Sequence, residues 1–228
     1  DIPGLVSIAK GMTDAEWAEH CRRGHPFDKR CEICIRSYMT KRPSKRRAAD
    51  DEHDEEKDGA VLGIDTVDGL PPSLRSNTDV LIGTEAKTSW GGVHCMQSKS
   101  GSEVVLGVKS FEAELKRMSG GTLNIVRIHS DAAKELNKGV FNTLCMEKGW
   151  HNTNTGGYRP NSNSKTERFV RMLFEKLRAA LLMATGGHAY YDQLWDLGLE
   201  YAADVLLRLP RSSKHGKSQC SPFENLHG

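Results

Sequence analysis

No run of about eighteen apolar residues, the length a membrane-spanning helix needs, occurs in the 228 residues. The N-terminus also lacks the basic, apolar, small-residue order of a secretory signal, so the reading is a soluble intracellular protein. Internal repeats are absent, which excludes solenoids and propellers. Six cysteines are too few and too scattered for a disulfide framework in an intracellular chain of this size. Cys95, Cys145 and Cys220 read as half-buried thiols, and Cys21 merely adjoins a candidate ligand. With 37% hydrophobic and 27% charged residues, the chain can bury one good-sized core and add a small module. Asp1 and Gly228 read as the ends of a piece of something longer.

Net charge is low as well, at +2, but it is unevenly spread. Residues 50–58 hold seven acids against one Lys, a net of −6, which leaves +8 on the rest of the chain. That excess fits a polyanionic partner. Composition separates a His/Cys-rich head at 1–36, a charged connector at 37–59, and an α/β-patterned remainder at 60–228. The connector turns from basic (Lys41, Arg42, Lys45, Arg46, Arg47) to acidic, and such blocks are too polar to join a core.

Thr13 and Glu16 have capping-box spacing, so a short helix is expected from Asp14 to about His20. Beyond the connector, strands are expected over Ala60–Val67, Thr78–Gly83 and Trp90–Met96. Val104, Val108, Phe111, Leu115 and Met118 then fall at helical spacing over 103–118, stopped by Gly120-Gly121. A strand over Leu123–His129, a helix over about 133–148 and a short strand near Trp150 follow. The Gly/Asn/Ser-rich stretch 152–164 reads as a loop, and helices follow over about 164–183 and 189–207. This is a mixed α/β order.

Three acids stand out. Asp65 is placed at the end of the first strand, Asp131 just after the fourth, and Glu167 in the first turns of the long helix, with thirty-five residues between the last two. Taken singly, each has a plain reading: Asp65 as a turn residue, Asp131 as a helix N-cap, Glu167 as a partner for Arg171 at i+4. Brought together, three carboxylates repel one another, and divalent cations bound through oxygen are the natural compensation.

The surroundings of these acids carry a resemblance. Asp131 lies in His129-Ser130-Asp131, and Glu167 follows Pro160-Asn161-Ser162-Asn163-Ser164-Lys165-Thr166. Residues 60–228 resemble the catalytic core of copia-type retrotransposon integrases, with a strand-borne Asp, a Ser-Asp at a strand end, and P-x-x-N-G-x-x-E-R opening a helix. Ala202–Pro210 followed by Ser221-Pro222-Phe223-Glu224-Asn225-Leu226-His227-Gly228 is similar to the family's closing signature. Two positions depart from the family pattern: Ala132-Ala133 stand where Asn-Gly is usual, and Ser164 where Gly follows Asn.

The resemblance implies an RNase H-like α/β core with a mixed five-stranded sheet and flanking helices, preceded by a small zinc module. It implies a metal-dependent polynucleotidyl transferase in which Asp65, Asp131 and Glu167 hold two Mg²⁺ or Mn²⁺ ions. Such an enzyme trims the 3′ ends of element DNA and joins them to target DNA. The partners implied are double-stranded DNA, other copies of the chain and a host targeting factor, with no membrane. The location implied is the nucleus, after assembly in cytoplasmic particles. Lys45, Arg46, Arg47, Asn163, Lys165, Arg168 and Arg171 are candidate nucleic-acid contacts; solvated linker and helix faces are the plain alternative.

In the head, His20-x4-His25-x5-Cys31-x2-Cys34 offers two imidazoles and two thiolates, enough to close a tetrahedral site around one structural Zn²⁺. It is similar to the His-His-Cys-Cys module that precedes integrase cores, though there the His and Cys pairs usually lie further apart. Five residues between the pairs suit a compact knuckle rather than a three-helix module.

Overall fold

The computed structural model describes residues 9–38, 59–131, 136, 139–154, 164–185, 192–210 and 220–227, without the side chains of Ser164 and Asp192. Two short helices form the head, α1 (Asp14–Arg22) and α2 (Glu32–Ser37). A five-stranded sheet follows, in the order β3-β2-β1-β4-β5. β1 (Ala60–Val67), β2 (Asp79–Glu85) and β3 (Gly91–Met96) make an antiparallel meander. α3 (Gly101–Met118) then carries the chain across so that β4 (Ile125–Ser130) pairs parallel to β1, and β5 (His151–Asn154) adds parallel to β4. The remaining helices are α4 (Val140–Lys148), α5 (Ser164–Ala184), α6 (Trp195–Arg208) and α7 (Pro222–His227).

Both faces of the sheet are covered, and β2 shows why. Its seven residues are all buried because Leu81 points into one apolar layer and Val80 and Ile82 into the other. In the first layer Leu62, Ile64, Leu81, Trp90 and Ile128 pack with Val104, Val108, Phe111 and Leu115 of α3 and Phe141 and Leu144 of α4. In the second, Val80 and Ile82 pack with Phe169, Leu173 and Leu177 of α5 and Trp195, Leu199, Ala202 and Leu206 of α6. Burying each such side chain contributes roughly 1.5–3 kcal/mol, so the two helix stripes are what hold the layers on the sheet.

Several boundaries differ from the sequence reading for local reasons. α1 runs past His20 to Arg22, and its Thr13–Glu16 capping box is present. α2 continues to Ser37, one residue beyond the head boundary, and Tyr38 caps it. β1 has the expected bounds, Ala60–Val67, and Asp65 lies two residues inside its end, since Thr66 and Val67 still pair with Leu81 and Val80 of β2. The helix expected over about 133–148 is interrupted at Gly139, whose φ of 68° and ψ of −139° are not helical: Leu136 is helical, α4 begins at Val140, and 132–135 and 137–138 lie outside the described residues. α6 starts at Trp195 after a 3-10 turn over Asp192–Leu194, and 189–191 lie outside the description. Cys145 is fully buried on the core face of α4 rather than half-buried. Among the described residues, no helix is long and apolar enough to cross a membrane.

Candidate active site and metal centre

The parallel register of β1 and β4 sets Ile64 against Ser130, so Asp65 and Asp131, each one residue further on, come to the same level of the sheet. Asp65 is half-buried and its Oδ1 accepts the Thr66 N–H at 2.8 Å. Asp131 is exposed just beyond the end of β4. Ser130 Oγ lies 3.0 Å from both Asp131 O and Asn154 Oδ1, which ties that strand end to β5.

Glu167 arrives from the other side of the chain. The first turn of α5 is seated on the sheet twice: Thr166 Oγ1 lies 2.8 Å from Thr84 Oγ1, and Phe169 covers Gly91. A Cβ on Gly91 would fall 2.2 Å from Phe169 Cζ, so only glycine lets the helix approach this closely. Glu167 lies between these two contacts in sequence, and its side chain is exposed.

The three acids interact. Burial raises the Asp65 carboxyl above its ordinary range, and the negative charges of Asp131 and Glu167 raise it further, against the lowering effects of the Thr66 N–H and of Lys99. The donor set is all oxygen, which suits Mg²⁺ or Mn²⁺. Lys99, which the sequence reading missed, reaches this rim from the segment between β3 and α3, with Nζ 3.1 Å from Asp68 Oδ2. Nothing in its spacing marks it; the topology alone brings it to Asp65.

Of the expected nucleic-acid contacts, Lys165, Arg168 and Arg171 are exposed on α5. Lys45, Arg46, Arg47 and Asn163 lie outside the described residues, as does Ala132.

The head gathers its four candidate ligands tightly. The ligand atoms of His20, His25, Cys31 and Cys34 all lie within 4.8 Å of one another, and all four residues are buried. Cys34 Sγ is 3.3 Å from His20 Nε2 and 3.9 Å from His25 Nδ1, and Cys31 Sγ is 3.6 Å from His25 Nδ1. Tetrahedral zinc with ordinary Zn–S and Zn–N lengths separates sulfur from nitrogen by about 3.6 Å, so the quartet fits the ion. Among the described residues, this is the one group of three or more such side chains drawn that close; the three acids are more loosely gathered.

Local structure explains the convergence. His20 lies in the last turn of α1, a turn through Gly24 brings His25 back over it, and Cys31 caps α2, accepting the Cys34 N–H at 3.4 Å. Burial, helped by His20 and Lys176, lowers His25 to about 4, which keeps its imidazole neutral and its lone pair available. Burial pushes the Cys34 thiol up to about 12, so a thiolate there needs a cation to stabilise it.

No family model and no curated protein matches the chain. Solved structures do match. The chain is similar to one in the simian T-cell lymphotropic virus intasome in complex with the PP2A regulatory subunit B56 gamma, at TM-score 0.57 and 14% identity. That match covers 74% of this chain and 54% of the other, so this chain spans about half the length of that one. It is also similar to the HTLV-2 integrase catalytic core domain in complex with magnesium, in trimeric and dimeric forms, each at TM-score 0.54 and 12% identity, covering 73% of this chain and 95% of that domain. Identities this low speak to fold alone. The mixed five-stranded sheet with its flanking helices is the fold of retroviral integrase catalytic cores, here joined to a His/Cys cluster that suits a small zinc module.

Proposed function

We propose that the chain is the zinc-binding and catalytic region of a copia-type retrotransposon integrase, divided into a head (1–36), a linker (37–59) and a core (60–228). It trims the 3′ ends of element DNA with water and then joins the exposed 3′-hydroxyl to a target phosphodiester. What supports this reading is the sheet of integrase-core fold, with Asp65 and Asp131 level on adjacent strands and the charges of Asp131 and Glu167 both reaching Asp65.

A pair of Mg²⁺ or Mn²⁺ ions, when bound, supplies the positive charge that favours the attacking oxygen and stabilises the leaving one. The chain's own residues do the holding. Asp65, fixed by the Thr66 N–H, is the half-buried member of the set; Asp131 and Glu167 close it from the strand end and from α5. Lys165, Arg168 and Arg171, exposed next to Glu167 in sequence, meet phosphates, and Lys45, Arg46, Arg47 and Asn163 are assigned the same role. Contacts of this kind position duplex DNA without reading it, which accords with an enzyme that accepts many targets. In the head, His20, His25, Cys31 and Cys34 hold one structural Zn²⁺ and leave it no open position.

Self-association is part of the proposal, supported by the trimeric and dimeric forms of the HTLV-2 core domain. A host targeting factor is a further part, supported by the B56 gamma subunit in the simian virus intasome complex. The proposed location is the nucleus, following assembly in cytoplasmic particles.

The test is metal-dependent cutting and joining of labelled duplex DNA by the purified chain, beside Asp131→Asn and Glu167→Gln. Joined products that disappear in both variants establish the reading. Hydrolysis without joining replaces it with a nuclease, and DNA binding without any cutting replaces it with a domesticated integrase.

A further inference from the structure

The turn that presents His25 is held from two sides. Gly24 and His25 both have positive φ, 65° and 53°. For a residue with a Cβ this conformation costs about 1 kcal/mol or more and persists where the surroundings enforce it. Inside the head, Gly24 N donates to Cys21 O at 2.9 Å and His25 N to His20 O at 3.1 Å. From outside, Lys176 of α5 turns its ammonium onto the backbone, donating to Gly24 O and, at 3.0 Å, to His25 O. The ring side of the same residue faces the other metal ligands, with its second nitrogen against Met183 Sδ of α5.

Other contacts extend this seat. Arg178 Nε donates to Ser37 O at 2.8 Å, fixing the end of α2. Ala179 and Leu182 complete a small apolar cluster with Cys31, Ile33 and Cys34. On α6, Val205 packs so closely over the turn that a Cβ on Gly24 would fall 2.7 Å from its Cγ1. The head is thus built onto the C-terminal half of α5, the helix whose first turn carries Glu167.

We propose that Lys176 is a positioning residue for the His20/His25/Cys31/Cys34 metal centre, and that the metal-bound head in turn stiffens the C-terminal half of α5. Lys176 holds the strained turn by its carbonyls while the ligand set holds it by the ring, so loosening either grip weakens the other. Coupling of this kind is reciprocal. The inference rests on the fit of the four ligands to a metal and is independent of the DNA chemistry.

The experiment is a Co²⁺ titration of the full chain, wild type against Lys176→Met and Lys176→Arg, read by the visible ligand-field bands and followed by competition with Zn²⁺. Removing a group that orients a metal ligand costs tenfold to a hundredfold in affinity. Lys176→Met should therefore weaken binding at least about tenfold with the tetrahedral spectrum unchanged, and Lys176→Arg should recover part of the loss. Hydrogen exchange on the unsubstituted chain supplies the second arm and needs no variant to fold. Chelation should speed exchange at residues 173–184 while the β1–β2 amides stay protected. Parent-like affinity in Lys176→Met, or exchange at 173–184 unmoved by chelation, overturns the proposal; loss of DNA activity alone bears only on the enzymatic reading.

Discussion

Thr84 Oγ1 and Thr166 Oγ1 stand 2.8 Å apart, a buried hydroxyl pair joining the second strand to the first turn of α5 one residue before Glu167. Replacing either hydroxyl strands the other away from water. Thr166→Val should therefore lower stability by about 1–3 kcal/mol in urea unfolding. The double variant Thr84→Val/Thr166→Val should cost clearly less than the sum of the two singles, because no orphaned group remains. Simple additivity would show that the pair does not seat the helix.

Asp196 is the most heavily bonded buried carboxylate among the described residues. Ser73 Oγ and Arg75 Nε each donate to it at 2.8 Å, Asn77 Nδ2 at 2.9 Å and Leu197 N at 2.8 Å. Burial pushes this carboxyl up, but those hydrogen bonds outweigh it and hold it below its ordinary value. A depressed folded-state pKa means that the stabilisation is complete above the unfolded value, near 4, and is lost as pH falls through the folded one. Asp196→Ala should cost roughly 3 kcal/mol near neutrality, at the low end for a broken buried pair because Arg75 is open to solvent. Its melting temperature should also fall less than the parent's between roughly pH 5 and 3; parallel curves would show that Asp196 is not the group responsible.

The His20/His25/Cys31/Cys34 cluster, as the proposed metal centre, carries its own pH signature. Two thiols must lose protons to bind an ion, and burial raises the Cys34 thiol to about 12. Affinity should then rise with pH, with up to about two protons released per ion. Calorimetry of Zn²⁺ binding in buffers of different ionisation enthalpy measures that number. Release near zero would mean that the thiols are not the ligands.

If Lys165, Arg168 and Arg171 meet phosphates, duplex affinity should fall steeply with salt. Each Ala substitution should flatten the slope of log affinity against log salt by about one. Fluorescence anisotropy across a salt series decides it, and slopes equal to the parent's would place these side chains off the DNA.

Local patterns make much of this architecture legible in the sequence. Val104, Val108, Phe111, Leu115 and Met118 repeat at helical spacing and line one face of α3, and Thr13 with Glu16 marks the start of α1. Asp65, Asp131 and Glu167 stand out in the sequence because each borders a recognisable element. Contacts between distant segments do not. Lys176 lies more than 150 residues from the turn it holds, and Lys99 reaches Asp65 only because the meander and α3 fold back to that rim. Gly139 is illegible for another reason: the apolar period runs through it from Leu136 to Val140, but its backbone is not helical. β1 ends at Val67, as the apolar run from Ala60 predicts, so Asp65 lies two residues inside it.

The helices on both faces of the sheet have one more consequence. Among the described residues, helices cover both broad surfaces, and half-buried Asp65 lies toward the rim where β1 and β4 run out, with Asp131 and Glu167 exposed. If these three acids form the proposed centre, a site at the rim rather than inside a closed cavity is one that a polymer could meet at an interior point, without threading from a free end.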